Sequence, residues 1–305
     1  MLLGEGEGFV SCACGRKHWG LYGAAGLLLV DPRRGVLLQH RAMWTHHGST
    51  WALPGGAVLP GETPADAATR ETEEETTIPP HAVRVLASCA EDHGTWRYTT
   101  VLATVRGEVE ARVANGESVA LHWVPLDEVE EYPLHQDFAA AWPLLREQLD
   151  RQLVLVVDAA NVIGARPDGW WRDRAGAVAR LRDRLAALSR IGVAAHRVGL
   201  ELPRRWCWWP RVVLVTEGKA RHVAEVAGVE VVSATGEGDD TIVGTVVELR
   251  SGRPQDHVVV VTADRELRRR VGELDCVSLG PGELWRLLDE SAQAARSRSR
   301  GRVQT

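Results

Sequence analysis

Hydrophobic positions along the chain change rhythm near residue 150. Before it, short apolar runs separated by Gly, Pro and Asp predict strands at Gly23–Val30, Gly35–Gln39, Val83–Cys89, Tyr98–Val105 and Val119–Val124. A helix is expected at Pro64–Glu75. Thr63 can cap it, Pro64 suits the first turn, and Asp66 stands where a capping-box acid would. A second helix should cover much of Gln136–Leu149, with Pro143 starting or kinking it. After residue 150, apolar runs at Leu153–Val157, Val212–Val215, Glu230–Val232, Val258–Val261 and Cys276–Leu279 alternate with helical patterns. Buried parallel strands read this way, and the βα repetition predicts a doubly wound sheet with helices on both faces. The helix expected at Asp173–Ser189 carries Val178, Leu181, Leu185 and Leu188 on one stripe. Residues 291–305 contain four arginines, no acid and little apolar content, and read as a disordered basic tail.

Composition agrees with two folded domains. The chain has 305 residues, of which 45% are hydrophobic and 25% charged, which excludes general disorder. No apolar run approaches the ~18–20 residues that span a bilayer, so no membrane association is expected. The first ten residues lack the basic and apolar regions of a signal peptide. Five scattered cysteines do not make a disulfide framework, and a cytoplasmic location is expected. The net charge of −5 is unevenly split: −10 over residues 1–150 and +5 over 151–305. A basic second half suggests that it meets a polyanion.

Glu71, Glu74 and Glu75 stand at i, i+3 and i+4 on the first helix and so share one face. Like charges at that spacing repel, Arg70 is the one nearby cation, and Glu62, Asp66 and Glu73 add to the imbalance. A divalent cation would reverse the sign of the interaction, and oxygen-only ligands favour a hard ion such as Mg²⁺ or Mn²⁺. The stretch from Gly56 through Glu62, Arg70, Glu71, Glu74 and Glu75 to Ile78 resembles a Nudix box, with Thr72 at an aliphatic position and Thr77 where the family has glycine. Trp51–Gly56 and His122–Glu128 resemble the flanking strands, so the resemblance covers roughly residues 20–148. It implies an α/β/α sandwich with a mixed sheet over residues 1–149. It also implies hydrolysis of a nucleoside diphosphate linked to another group. Glu71, Glu74 and Glu75 would bind metal, Arg70 would orient a glutamate, the Gly55 carbonyl would contact the ion, and Gly56 would face substrate. Glu117, Glu91 and Asp92 are candidates for the base that activates water. His46 and His47 could touch substrate or simply be exposed, and Cys12, Cys14 and His18 could be three zinc ligands or ordinary surface residues.

In open α/β sheets, chemistry gathers at the carboxyl ends of the strands. The second half puts acids at those places: Asp158 after the first strand, Glu217 after the second, Asp239 and Asp240 before a helix, and Asp264 after a fourth strand. Asn161 and Thr262 add neutral oxygen ligands or donors, and such a cluster suits metal-assisted cleavage of phosphodiesters. Ala160 occupies the place where a phosphoaspartyl enzyme would want a second Asp, and neither a dinucleotide fingerprint nor a phosphate-binding GxxxxGK[ST] loop occurs. Asp158–Asn161, Gly238–Ile242 and Val261–Asp264 resemble the motifs of a NYN domain. Over residues 152–290 this implies a PIN-like three-layer α/β/α fold with a mostly parallel sheet and a ribonuclease-like site at Asp158, Asp239, Asp240 and Asp264. Trp170 and Arg172, near Asp158, could hold RNA by stacking and charge, as could the arginines and indoles of Arg204–Arg211, or these tryptophans could pack the core. The joint expectation is a nucleotide hydrolase fused to a ribonuclease, either acting together on RNA 5′ ends or with the first half cleaning free nucleotides and the nuclease acting independently. The alternative is a nucleotide sensor regulating an RNA-binding half.

Overall fold

The computed structural model describes residues 6–45, 47–167, 169–203 and 205–301, with side chains through residue 293. The chain divides into two compact units, Met1–Leu149 and Asp150–Thr305.

In the first unit the strands are β1 (Phe9–Ser11), β2 (Lys17–Trp19), β3 (Ala24–Asp31), β4 (Gly35–Arg41), β5 (Trp51–Ala52), β6 (Gly55–Ala57), β7 (Val83–Asp92), β8 (Arg97–Val105) and β9 (Ser118–Val124). The helices are α1 (Pro64–Thr76) and α2 (Gln136–Arg146). β3 pairs parallel with β8 but antiparallel with β4 and β6, and β7 pairs antiparallel with β8, so the sheet is mixed. β3 is buried at nearly every position rather than at alternate ones, as expected of a strand covered on both faces. Leu27, Leu29, Leu37, Val101 and Ala103 meet Ala67, Ala68 and Ile78 in one apolar cluster, which seats α1 on the sheet. The capping box that starts α1 forms: Asp66 N–H donates to Thr63 Oγ1 at 3.2 Å, and the Asp66 carboxylate accepts from the Thr63 N–H. The β1–β2 hairpin was not expected from the sequence, whereas the short strands β5 and β6 fall at the Trp51–Gly56 segment that resembles a flanking strand.

In the second unit the elements are β10 (Leu153–Asp158), α3 (Ala159–Gly164), α4 (Arg174–Leu188), β11 (Val193–Ala194), β12 (Trp206–Trp208), β13 (Arg211–Thr216), β14 (Val229–Ser233), α5 (Gly238–Gly252), β15 (His257–Val261), α6 (Arg265–Gly272), β16 (Val277–Leu279) and α7 (Pro281–Gly301). A five-stranded sheet has the order β14-β13-β10-β15-β16, parallel throughout. The chain moves outward from β10 through β13 to β14, then returns to the other side of β10 with β15. That reversal is a topological switch point, where the carboxyl ends of neighbouring strands open a crevice. The stripe Val178, Leu181, Leu185 and Leu188 of α4 is buried as its spacing predicts. One expectation changes here. α7 continues as helix through Gly301, across most of the segment read as a disordered tail, because the apolar turn at Leu284, Trp285, Leu287 and Leu288 anchors its start. Residues 302–305 lie outside the described residues. Among the described residues, no helix is long and apolar enough to cross a membrane.

Candidate active site

The face of α1 that carries the glutamates meets β6 and β4. Arg70 lies at its centre. Its Nε and Nη2 reach the two oxygens of Glu62 at 3.0 and 3.1 Å, Nη1 reaches Glu71 at 2.8 Å and Glu74 at 3.3 Å, and Nη2 also donates to the Ala57 carbonyl at 3.0 Å. One guanidinium thus ties the helix to the loop before it and to β6, using the planar fork that suits carboxylates. Glu75 is 2% exposed. Its carboxylate accepts from Gln39 Nε2 and from the Gly55 N–H, each at 2.9 Å. Burial pushes the Glu75 carboxyl up to about 7, and the Glu71 charge adds to the rise. Burial also raises the Glu71 carboxyl, with Glu74 and Glu117 opposing its ionisation. Glu74 remains largely exposed.

Gly56 is required by this geometry, since a Cβ there would lie 2.5 Å from the Glu71 carboxyl carbon. Gly55 takes φ 159°, and a side chain on it would strike the Ala25 carbonyl at 2.3 Å. The two departures from the box leave α1 intact. Thr72 is buried with its hydroxyl donating to the Ala68 carbonyl at 2.7 Å. Thr77 adopts the left-handed conformation, φ 63°, and its N–H donates to the Glu73 carbonyl at 3.0 Å. The position therefore keeps the backbone that glycine would adopt, at a conformational cost.

A cavity beside the helix is lined by Arg16, Lys17, Gly55, Gly56, Glu91 and Trp96, among others including His47. Of the three candidate bases, Asp92 is held by Arg97 and by the Gly94 N–H, Glu91 lines the cavity, and Glu117 acts electrostatically on Glu71. His46 lies outside the described residues. Glu71, Glu74 and Glu75 share one helix face, and burial opposes the ionisation of Glu71 and Glu75. This donor set fits a hard divalent ion.

In the second unit, Asp158 ends β10 and is 6% exposed. Its Oδ2 accepts from Asn161 Nδ2 at 2.7 Å and Thr262 Oγ1 at 2.9 Å, and its Oδ1 accepts from the Asn161 N–H at 3.0 Å. Asn161, expected as a possible ligand, thus uses its amide to position Asp158. Asp264 caps α6 through the Leu267 N–H at 2.8 Å, while its own N–H donates to Thr262 Oγ1 at 3.1 Å. Thr262 therefore links the two aspartates. Burial raises the Asp239 carboxyl, and Asp158, Asp264 and Glu217 raise it further. The switch point thus gathers Asp158, Asp239, Asp264 and Glu217. Asp240, the next residue, accepts from Arg270 Nη2 at 2.7 Å, and the same guanidinium acts electrostatically on Asp239 against the rise.

The aromatic expectations divide. Trp206 and Trp208 are 1% and 0% exposed and stack 5.9 Å apart, so they are core residues. Trp209 donates to the Arg190 carbonyl, and Arg204 lies outside the described residues. Trp171 and Arg172 are exposed, and Trp170 has the Arg174 guanidinium over its ring at 5.2 Å.

Comparisons with known proteins bear on the N-terminal half of the chain. The NUDIX domain model matches residues 21–148. Over 153 residues the chain is 47% identical to the putative 8-oxo-dGTP diphosphatase 3 of Mycobacterium tuberculosis, covering 47% of this chain and 70% of that protein. It is 45% identical over 153 residues to a nucleoside triphosphate pyrophosphatase/Nudix hydrolase fusion protein of Bifidobacterium longum, covering 48% of this chain and 32% of that protein, so it spans about a third of that relative's length. A solved Nudix hydrolase from M. smegmatis, RenU, is 43% identical and covers 47% of this chain and 94% of its own, with a TM-score of 0.43. The chain belongs to the Nudix family through its N-terminal half; these matches do not assign the C-terminal half.

Proposed function

We propose that the N-terminal unit hydrolyses the pyrophosphate linkage of a nucleoside diphosphate derivative with the help of Mg²⁺ or Mn²⁺. The observation that carries this reading is the Arg70 guanidinium shared by Glu62, Glu71 and Glu74 beside the buried Glu75. Glu71, Glu74 and Glu75 would hold the ion, which when bound neutralises the pyrophosphate and lowers the pKa of an attacking water. Arg70 holds Glu71 and Glu74 in register. Glu75, bonded to the Gly55 N–H, ties β6 to the helix, and Gly55 and Gly56, where no Cβ fits, would offer their backbone to the substrate. Glu117 is our preferred base, because it lies within electrostatic reach of Glu71 and Asp92 is already held by Arg97. The name of the Mycobacterium tuberculosis relative makes 8-oxo-dGTP the first substrate to try.

For the C-terminal unit we propose a metal-dependent, ribonuclease-like site built on Asp158, Asp239 and Asp264, with Glu217 beside them. The raised Asp239 carboxyl among three other acids at a strand-end crevice supports it. Trp170 and Arg172 would meet the RNA.

The test incubates the full chain and Mg²⁺ or Mn²⁺ with 8-oxo-dGTP, dGTP and a 3′-labelled RNA bearing a 5′ pyrophosphate-linked cap. The parent is compared with Glu74→Gln and Asp158→Asn. Nucleotide or cap hydrolysis lost only in Glu74→Gln, and internal RNA cleavage lost only in Asp158→Asn, is the expected result. Tight nucleotide binding without turnover in Mg²⁺ would replace the first proposal with a sensor. Untouched RNA in every condition would refute the second.

A further inference from the structure

Four side chains outside the glutamate site converge at the N-terminal hairpin. Cys12 and Cys14 lie in the turn between β1 and β2, His18 lies in β2, and His93 comes from the β7–β8 connection, 75 residues further on. One ligand atom from each, two Sγ and two imidazole nitrogens, lies within 4.8 Å of all the others. Cys14 Sγ is 3.1 Å from His18 Nε2. We propose that Cys12, Cys14, His18 and His93 bind one structural Zn²⁺ tetrahedrally.

The chemistry of the donors selects the metal. Thiolate and imidazole are the ligands zinc takes in closed structural sites, whereas Mg²⁺ and Mn²⁺ prefer oxygen. Zn–S and Zn–N bonds of about 2.3 and 2.0–2.1 Å place tetrahedral ligand atoms roughly 3.3–3.8 Å apart. The widest pairs therefore need to close by about 1 Å, and the Cys14–His18 pair to open slightly. The Cys-x-Cys spacing is tighter than usual, and the backbone shows how it is reached: Cys12 N–H donates to the Arg16 carbonyl at 2.9 Å, and Gly15 N–H to the Cys12 carbonyl at 3.0 Å with φ 83°. The second segment is fixed as firmly. His93 N–H donates to the Trp96 carbonyl at 2.9 Å, and Trp96 Nε1 donates to the carbonyls of Trp19 and Gly20. The Trp96 ring stacks on His18 at 4.2 Å. Ligands are thus supported by a further layer of contacts, as in other metal sites.

The consequence reaches the cavity. Arg16 and Lys17 sit between Cys14 and His18 and line it together with Gly55 and Gly56. A two-stranded hairpin of three-residue strands has little stability of its own. The ion would hold it to the β7–β8 connection and so keep the two cations beside the box glycines.

The experiment measures zinc by elemental analysis in the full chain, purified without chelator and dialysed against Mg²⁺ under reducing conditions. About one zinc per chain is expected in the parent and in Glu74→Gln. In Cys14→Ser and His93→Gln the content should fall at least tenfold, in line with loss of a ligand. Cobalt exchanged into the parent should give tetrahedral d–d bands and thiolate charge transfer, and should protect two of the five cysteines from alkylation. This arm needs no variant to fold. A reduced parent that holds neither zinc nor cobalt at its thiols overturns the proposal, as does full zinc content in His93→Gln. A Cys12–Cys14 disulfide that persists under these conditions also overturns it.

Discussion

Burying the Glu75 carboxylate in the absence of a cation has a measurable cost. Its carboxyl moves from an ordinary 4.5 to about 7 because the helix face that carries it is sealed against β4 and β6. The raised value fixes the sign. In metal-free protein the native state binds a proton that the unfolded chain releases, so the stability is complete below pH ~4.5 and is lost as pH rises through ~7. At about 1.4 kcal/mol per pH unit, the loss between pH 5 and 8 is about 3 kcal/mol. Glu75→Gln removes that proton from the balance. The amide keeps one acceptor for Gln39 or Gly55 and forfeits the other, a cost of about 1–3 kcal/mol that is the same at both pH values. The difference between pH 5 and pH 8 therefore isolates the ionisation. Urea titrations read by pulse proteolysis follow the N-terminal unit by its own fragment, in EDTA. The parent should lose about 3 kcal/mol over this range, and Glu75→Gln clearly less, the remainder arising from Glu71, whose carboxyl burial also raises. Mg²⁺ should restore the parent at pH 8. An identical pH dependence in parent and variant would refute the argument.

Three further outcomes follow from single contacts. Thr77→Gly should stabilise the N-terminal unit by about 0.5–1 kcal/mol, because glycine takes φ 63° without the Cβ penalty; a lowered unfolding midpoint would contradict this. Gly56→Ala should displace Glu71 and cut nucleotide hydrolysis by about 10²-fold with the circular dichroism spectrum unchanged, since a Cβ would meet the Glu71 carboxyl carbon at 2.5 Å; a variant with near-parental kcat/KM would show that Glu71 is not needed where it stands. Thr262→Val should cost about 1–3 kcal/mol in the C-terminal unit by leaving the Asp264 N–H without its side-chain acceptor and Asp158 Oδ2 with only the Asn161 amide as donor, read from the C-terminal fragment in the same proteolysis assay.

Local rules suffice for α1. Thr63, Pro64 and Asp66 start the helix, the i, i+3 and i+4 spacing puts Glu71, Glu74 and Glu75 on one face, and the surplus of acid points to a cation. The strand runs of both halves and the acids at their carboxyl ends are legible for the same reason: period and punctuation are properties of neighbours in the chain. What neighbours do not encode is which distant groups meet. Glu75 and Glu74 look alike in the sequence, yet one is sealed by Gln39 and Gly55 and the other faces solvent. Asp239 and Asp240 are adjacent and look alike in the sequence, yet burial and the neighbouring acids raise the first while Arg270 hydrogen-bonds the second. Trp206 and Trp208 carry arginine neighbours in the sequence but are core, because the fold closes over them. Cys12, Cys14 and His18 lack a fourth partner until β7 and β8 return His93 to the hairpin. Burial and long-range pairing convert residue types into roles, and both depend on contacts that exist only once the sheet has formed.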